Sequence, residues 1–374
     1  MPIDSCDVLI VGGGPAGSTC AWQLVRAGFD VMVLDKHTFP RDKVCAGWIT
    51  PAVVKSLRLD IADYARGCVI QPVYGFQTGI IGEPEVETRY REPASFGIRR
   101  CEFDNYLLRR SGARLRLGEP MKSMVRDGSM WLVNENIRTP LVVGAGGHFC
   151  PVARMARTQL ERTETLVVAQ EIEFLLSEQE RSECHIDNEL AQLYFCPDLK
   201  GYGWCFAKGN YLNVGLGRED SHKLSEHVER FCQWLQQRGT IPRNLPGRFN
   251  GHAYLLYPGS RRTLTSHGVL LIGDAAGLAY PQSGEGIRPA VESALMAAEV
   301  IVDARNDYRQ ERLAPYVGLL TQRFGKKNLH QATRPLLPEK VRQMVAMKLM
   351  RTNWFARHVI IDRWFLHAGQ PALL

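Results

Sequence analysis

An α/β fold with an inserted strand-rich layer and a helical C-terminal tail is predicted by three observations in the 374-residue chain. Apolar, β-branched runs end in small-residue turns at three separated places, the first of them between Asp7 and Asp35. A long stretch of alternating, strand-like sequence lies between the second and the third. Beyond the third the pattern is helical and amphipathic.

The first element justifies the α/β reading most directly. Val8-Leu9-Ile10-Val11 suits a strand buried on both faces, and Gly12-Gly13-Gly14-Pro15-Ala16-Gly17 follows at once as a full G-x-G-x-x-G. A helix from about Ala16 to Ala27 puts Ala21, Leu24 and Val25 on one face and stops at Gly28. A second strand, Val31-Met32-Val33-Leu34, ends in Asp35, where a carboxylate accepts hydrogen bonds from a ribose diol. Strand, turn, helix and acid in register mark a Rossmann-like dinucleotide site rather than a structural turn, since the new helix offers free N–H groups to a pyrophosphate. An aspartate at that place repels a 2′-phosphate, so the ligand is FAD or NAD rather than NADP.

The rest follows in order. Lys36 to Trp48 is polar and basic, then small and aromatic. Pro51 to Leu59 predicts a short helix with Thr50 as N-cap, and residues 68–100 predict strands broken by Gly75, Gly79, Gly82 and Pro84. A helix is expected over Phe103 to Arg110, a strand over Leu115 to Leu117, and a hairpin at Asp127-Gly128 leading into Met130 to Val133. The run Leu141-Val142-Val143 enters Gly144-Ala145-Gly146-Gly147, where Phe149 stands in place of a third glycine, so no second complete dinucleotide domain is expected.

Residues 164–260 read as strands, clearest at Leu166 to Phe174 and Tyr202 to Phe206. A turn at Lys208-Gly209-Asn210 leads into Tyr211 to Gly215, and a helix interrupts at Glu226 to Gln237. The third run, from Gly268, ends in Gly273-Asp274, and a long helix follows over Ile287 to Ala304. The expected division is a discontinuous nucleotide domain over 1–50, 98–160 and 262–310, a substrate domain over 51–97 and 161–261, and a helical segment over 311–374.

At 45% hydrophobic content the chain can bury a large core. Its ten cysteines are scattered without C-x-x-C or metal-ligand spacing, which reads as reduced thiols in a cytoplasmic protein and as no metal site. The N-terminus leaves no room for a signal peptide, and no apolar run reaches the ~20 residues a spanning helix needs. Neither ligand clusters nor a recognition motif supports a zinc or nucleic-acid role. The net charge of +7 concentrates between Arg323 and Arg363, where basic residues far outnumber Glu339 and Asp362 and alternate with Trp354, Phe355, Trp364 and Phe365. That segment suits either peripheral contact with an anionic membrane or a packed helical cap with solvated arginines.

In their order and spacing the three turns resemble the FAD-dependent oxidoreductases of the p-hydroxybenzoate hydroxylase fold, and within them the geranylgeranyl reductase family. The closer resemblance lies in Pro40-Arg41-Asp42-Lys43-Val44-Cys45-Ala46-Gly47, Arg100-x-x-Phe103-Asp104, Gly201-Tyr202-Gly203-Trp204, Asn213-Val214-Gly215 and Pro281-Gln282-Ser283-Gly284-Glu285-Gly286-Ile287. It covers roughly residues 3–305.

The resemblance implies FAD as cofactor, held by Gly12, Gly14, Pro15, Ala16 and Gly17 at the pyrophosphate, and Asp35 with Lys36 at the ribose. Lys43, Cys45 and Ala46 would line the flavin, Arg100 would lie against the pyrophosphate, and Gly273 and Asp274 would meet the ribityl chain. Gly284, Gly286 and Ile287 would bring a positive helix end to the N1–C2=O edge of the ring. Cys45, Tyr202 and Trp204 would form the catalytic, substrate-facing side, and Glu285 reads as structural. Where relatives carry Asp-Gly after the middle Gly-Ala, this chain has Gly146.

The implied function is reduction of C=C bonds in an apolar prenyl or polyene lipid, with electrons from an external donor, NAD(P)H or a redox protein. A flavin monooxygenase of the same fold and a non-catalytic flavin-binding module are the alternatives. A halogenase is disfavoured because Trp204-Cys205-Phe206-Ala207-Lys208 stands where W-x-W-x-I-P is expected.

Overall fold

The computed structural model describes residues 3–156, 166–220, 223–257, 260, 262–326 and 338–374. Its central sheet runs Thr265–Ser266, Val269–Leu271, Leu141–Gly144, Val8–Val11, Val31–Asp35 and Arg114–Leu117, parallel except for the first, edge strand. Every residue of Val8–Val11, Val31–Asp35 and Leu141–Gly144 is buried, as a sheet covered on both faces requires. The helix Pro15–Arg26 covers one face together with Ile287–Ala304 and Arg100–Arg110. Because Val11, Leu34, Gly144 and Leu271 lie side by side in parallel register, all their turns open at the same edge of the sheet.

A second, seven-stranded sheet stands over that edge in the order Asn250–Leu255, Leu166–Leu175, Tyr211–Arg218, Gly201–Lys208, Leu190–Phe195, Gly75–Ile80 and Val86–Arg89. Its Lys208↔Tyr211 pairing closes the expected hairpin. One face packs on the helix Leu224–Gln237 through Phe231, Val228 and Leu235. The other carries Phe76, Phe195, Trp204 and Phe206 against Met350, Ile360, Ile361 and Phe365 of the C-terminal tail. A three-stranded sheet of Trp48–Ile49, Ser95–Ile98 and Ile70–Val73 and a four-stranded one holding the Met124–Asp127/Met130–Val133 hairpin complete the strands.

Several elements differ from their expected form. Gly75 falls at the expected break, opening Gly75–Ile80 just after Ile70–Val73, with a Cβ there 2.6 Å from Leu190 Cδ2, whereas Gly79 lies inside the strand rather than breaking it. The helix expected to Leu59 ends at Ser56, Arg58 turns into positive φ, and Asp60 caps a separate helix Ile61–Tyr64. Thr50 makes no side-chain cap. The helix expected from Phe103 starts at Arg100.

The tail comprises Gln310–Leu313, Pro315–Phe324, Glu339–Met350, Asn353–Phe355 and a wide π-type helix Ala356–Phe365. Its cations do not form one solvated face. Arg323 reaches inward to Glu292, Arg351 pairs with Glu83, and Arg357 lies over Tyr90; Lys327 and Arg334 lie outside the described residues. Among the described residues no helix is long and apolar enough to cross a membrane.

Candidate active site

The glycine turn meets the second turn backbone to backbone. Gly12 has φ +113°, and a Cβ there would stand 2.4 Å from the Ala145 carbonyl oxygen. Gly14 is the N-cap of Pro15–Arg26 and no side chain caps that helix, so its first N–H groups face the cavity. The Asp35 carboxylate accepts the N–H of Gly13 at 2.7 Å and of His37 at 2.8 Å, which fixes it at the strand end with lone pairs left for a diol.

From Asp35 a cavity of about 710 Å³ runs past both turns to the seven-stranded sheet. Gly12, Gly14, Pro15, Ala16, Asp35, Lys36, Lys43, Cys45, Ala46, Arg100, Tyr202, Trp204, Asp274, Gly284, Gly286 and Ile287 all line it. Gly17 and Gly273, also expected at the cofactor, are not among the residues that line it. A Cβ on Gly17 would fall 1.8 Å from the Gly12 carbonyl oxygen, so this glycine lets helix pack on strand. Gly273, at φ +59°, would clash with Ala16 Cβ at 2.9 Å and instead gives its N–H to Ser293.

The middle of the cavity is rich in cations. Lys43 Nζ lies 3.0 and 3.2 Å from the ring nitrogens of His252, and the His252 ring is 4.0 Å from the Asp274 carboxylate. Burial and the nearby Arg100 guanidinium hold the Lys43 ammonium below its ordinary range. Burial, then Lys43 and Arg100, push His252 down to about 3, so its ring is neutral at pH 7. Burial raises Asp274 against the pull of Lys43, Arg100 and Arg262.

Arg100 lines the cavity and is oriented by an acid. Its guanidinium forks onto Asp104 through Nε and Nη2 at 2.8 and 2.9 Å, one helical turn on, and Arg41 joins the same carboxylate at 3.2 Å. That fork fixes the guanidinium beside the cavity with N–H groups not spent on Asp104. A pyrophosphate fits here because it offsets the mutual repulsion of Lys43 and Arg100 and receives the helix N–H groups. Lys43→Ala is expected to raise the FAD dissociation constant roughly 10-fold to 100-fold, a charged hydrogen bond contributing about 1.5–3 kcal/mol, as read by fluorescence titration of apoprotein.

At the far end the Cys45 N–H donates to the Glu171 carboxylate, which also accepts from Asn213 Nδ2 at 3.2 Å; Asn213 Oδ1 in turn accepts Trp204 Nε1 at 2.7 Å. Behind them Glu173 pairs with Lys208 at 2.6 Å and Arg99 at 3.1 Å. This chain of bonds sets the Cys45 loop against the Trp204 strand. The sequence reading missed Glu171, Asn213, His252 and Tyr254; acids alternating in the apolar run Leu166–Leu175 were the available signal. An aromatic wall closes this end, with Trp48 5.7 Å and Tyr202 5.2 Å from Phe365 of the tail, ring centre to ring centre. Tyr202 also gives its hydroxyl to the Ser283 carbonyl.

Residues 7–74 match the family model described as FAD dependent oxidoreductase. The chain is 31% identical over 349 residues to a menaquinone reductase of Mycobacterium tuberculosis, covering 86% of this chain and 81% of that one. It is 27% identical over 332 residues to a digeranylgeranylglycerophospholipid reductase of Methanocaldococcus jannaschii, covering 84% and 81%. A geranylgeranyl bacteriochlorophyll reductase-like protein from Thermoplasma acidophilum has the same fold, at TM-score 0.74 and 21% identity over 93% of this chain and 88% of that one. With a cavity shaped for a dinucleotide and built on these turns, the protein is an FAD-dependent oxidoreductase. Within that class it belongs to the geranylgeranyl reductase family.

Proposed function

We propose that the protein reduces C=C bonds in an apolar prenyl or polyene lipid. The observation that carries this reading is the aromatic wall: Trp48, Tyr202 and Trp204 line the cavity and offer a planar, unsaturated chain a stacking surface, backed from behind by the buried Phe76 and Phe365. Reduced FAD, when bound, supplies the hydride from N5. Cys45 and Tyr202 then face the substrate from opposite sides of the cavity end, and the Glu171–Asn213–Trp204 bonds hold that end in register. Residues 51–97 and 161–261 act as the substrate domain, the discontinuous remainder to 310 as the FAD domain, and 311–374 as a closing segment. Electrons come from an external donor, NAD(P)H or a redox protein.

The decisive experiment is anaerobic reduction of the yellow protein followed by a geranylgeranyl lipid or menaquinone in detergent, and separately by air. Reoxidation by lipid, with product mass higher by two hydrogens, is expected. Reoxidation by oxygen alone, with oxygen entering an added substrate, would replace this reading by the monooxygenase.

Peripheral docking on an anionic membrane belongs to the same reading. Met344 and Trp354 are 59% and 67% exposed, and Val345 and Leu349 are exposed beside Arg342 and Lys348. Each such cation adds ~1 kcal/mol near an anionic surface. Cosedimentation with phosphatidylglycerol vesicles is expected, and its loss in a Lys348→Glu, Trp354→Ala variant; equal binding to neutral vesicles would argue against docking by charge.

A further inference from the structure

Glu285 is the one buried acid at the substrate end that the bonding pattern leaves unused among the described residues. Both of its carboxylate oxygens are shut off from solvent and neither has a side-chain hydrogen-bond partner, the Arg288 backbone N–H acting on the carboxyl only weakly. A carboxylate left so would be costly, whereas a neutral carboxyl is not. It lines the cavity between Gly284 and Gly286, on the side where Tyr202 donates to the Ser283 carbonyl. Asp274 and Glu171 on the same cavity face cations or accept hydrogen bonds from side chains, whereas Glu285 lines the cavity with no side-chain hydrogen bond.

We propose that Glu285, held protonated, gives the proton that completes reduction of the substrate double bond. The inference rests on the reductase reading above. One alkene carbon receives the hydride that reduced FAD supplies. The π electron pair forms a C–H bond at the other carbon with the Glu285 proton, and the O–H bond breaks to leave a carboxylate. That carboxylate regains its proton from water once product leaves.

The surroundings keep the acid neutral. Burial pushes its pKa up to about 8, and the Glu292 carboxylate adds to the rise. Arg288 opposes it, through its charge and weakly through its backbone N–H, but its guanidinium is spent on Glu292 and on tail carbonyls. Arg323 likewise faces Glu292, Tyr202 and Tyr280 are neutral hydroxyls with raised pKa values, and His367, stacked on Tyr280, is pushed down to about 4 by burial. No cation in this set is free to ionise Glu285. A general acid near its working pH contributes a rate factor of about 100 to 10,000.

The test uses FAD-loaded protein. In wild type, infrared difference spectra taken across a pH titration are expected to show a protonated-carboxyl C=O band at pH 7 that fades above about pH 8 and is missing in Glu285→Gln. Single-turnover reoxidation of the reduced flavin by lipid should slow as pH rises through the same range, because the donor must hold its proton. Glu285→Gln should retain FAD, slow this step roughly 100-fold or more and lose the pH limb, with Glu285→Asp partly restoring both. A carboxylate already ionised at pH 7, or a flavin-loaded Glu285→Gln reoxidised by lipid at the wild-type rate, overturns the inference alone. Wild-type protein that no prenyl lipid reoxidises overturns the reductase reading and the donor role with it, whatever the infrared band shows.

Discussion

Gly12→Ala should purify colourless. At φ +113° the substitution is strained before any contact is counted, and its Cβ would lie 2.4, 2.5 and 2.7 Å from Ala145 O, Ala145 C and Gly146 N. Those atoms are backbone of the opposing turn and have no rotamer to yield. The two turns must therefore part, and parting them moves the helix N–H groups away from the Asp35 end. The expected outcome is a loss of FAD affinity of more than about 1,000-fold, equivalent to ~4 kcal/mol. Gly28→Ala is the control: its φ is also positive, +89°, but nothing lies within 4 Å of a Cβ there. It should cost about 1 kcal/mol of stability and leave the protein yellow. The measurement is the flavin-to-protein absorbance ratio of both variants. Equal flavin content would show that the turn contact does not position the cofactor.

The contrast between these two glycines also marks what a sequence can disclose. The first turn was legible because its strand, glycines, helix and Asp35 fall within one local unit whose chemistry is complete. The Ile287–Ala304 helix was legible for the same reason, its apolar residues needing no distant partner to announce it. Sites assembled across the fold were not. Glu171 meets Cys45 and His252 meets Lys43 only because the seven-stranded sheet stands over the edge of the parallel one in a fixed register.

Local rules misread other residues for the same cause. Arg100 was read from its motif alone, and only the folded helix shows that Asp104, four residues on, orients its guanidinium. Gly17 belongs to the motif, yet packing rather than ligand contact demands it. Glu285 read as structural, and only its solvent-excluded oxygens without a side-chain partner in the folded chain mark it out. The tail's arginines read as facing either a membrane or solvent because nothing near them in sequence offers a buried carboxylate.

That carboxylate is Glu292, and removing its charge should have the largest effect on stability. Its side chain is 1% exposed and holds two guanidiniums: Arg288 at 2.8 Å, and Arg323, whose Nε lies 2.9 Å from Oε2. The same two arginines clamp the tail. Arg288 donates to the carbonyls of Leu366 at 3.2 Å and Gln370 at 2.7 Å, and Arg323 to that of Pro371 at 2.7 Å. With Glu292→Gln the buried Arg288 and the half-buried Arg323 are left with carbonyls alone, and stranding the buried Arg288 in this way costs about 3–5 kcal/mol. Denaturant unfolding should show that loss, and chymotrypsin should cut the tail near Phe365 sooner.

The consequence reaches the active site because Phe365 is the residue that closes on Trp48 and Tyr202. Glu292→Gln should therefore raise the KM for a lipid substrate while FAD, held at the other end of the cavity, stays bound. Replacing Arg288→Met with Glu292→Leu removes the stranded charge of Arg288, leaves Arg323 to the Pro371 carbonyl alone, and should recover part of the stability but not the clamp, since no donor remains for Leu366 and Gln370. Stability restored with the tail still protease-sensitive would separate the two roles of this cluster. A Glu292→Gln protein as stable as wild type, with its tail intact, would show instead that the carbonyls alone suffice to hold the buried arginines.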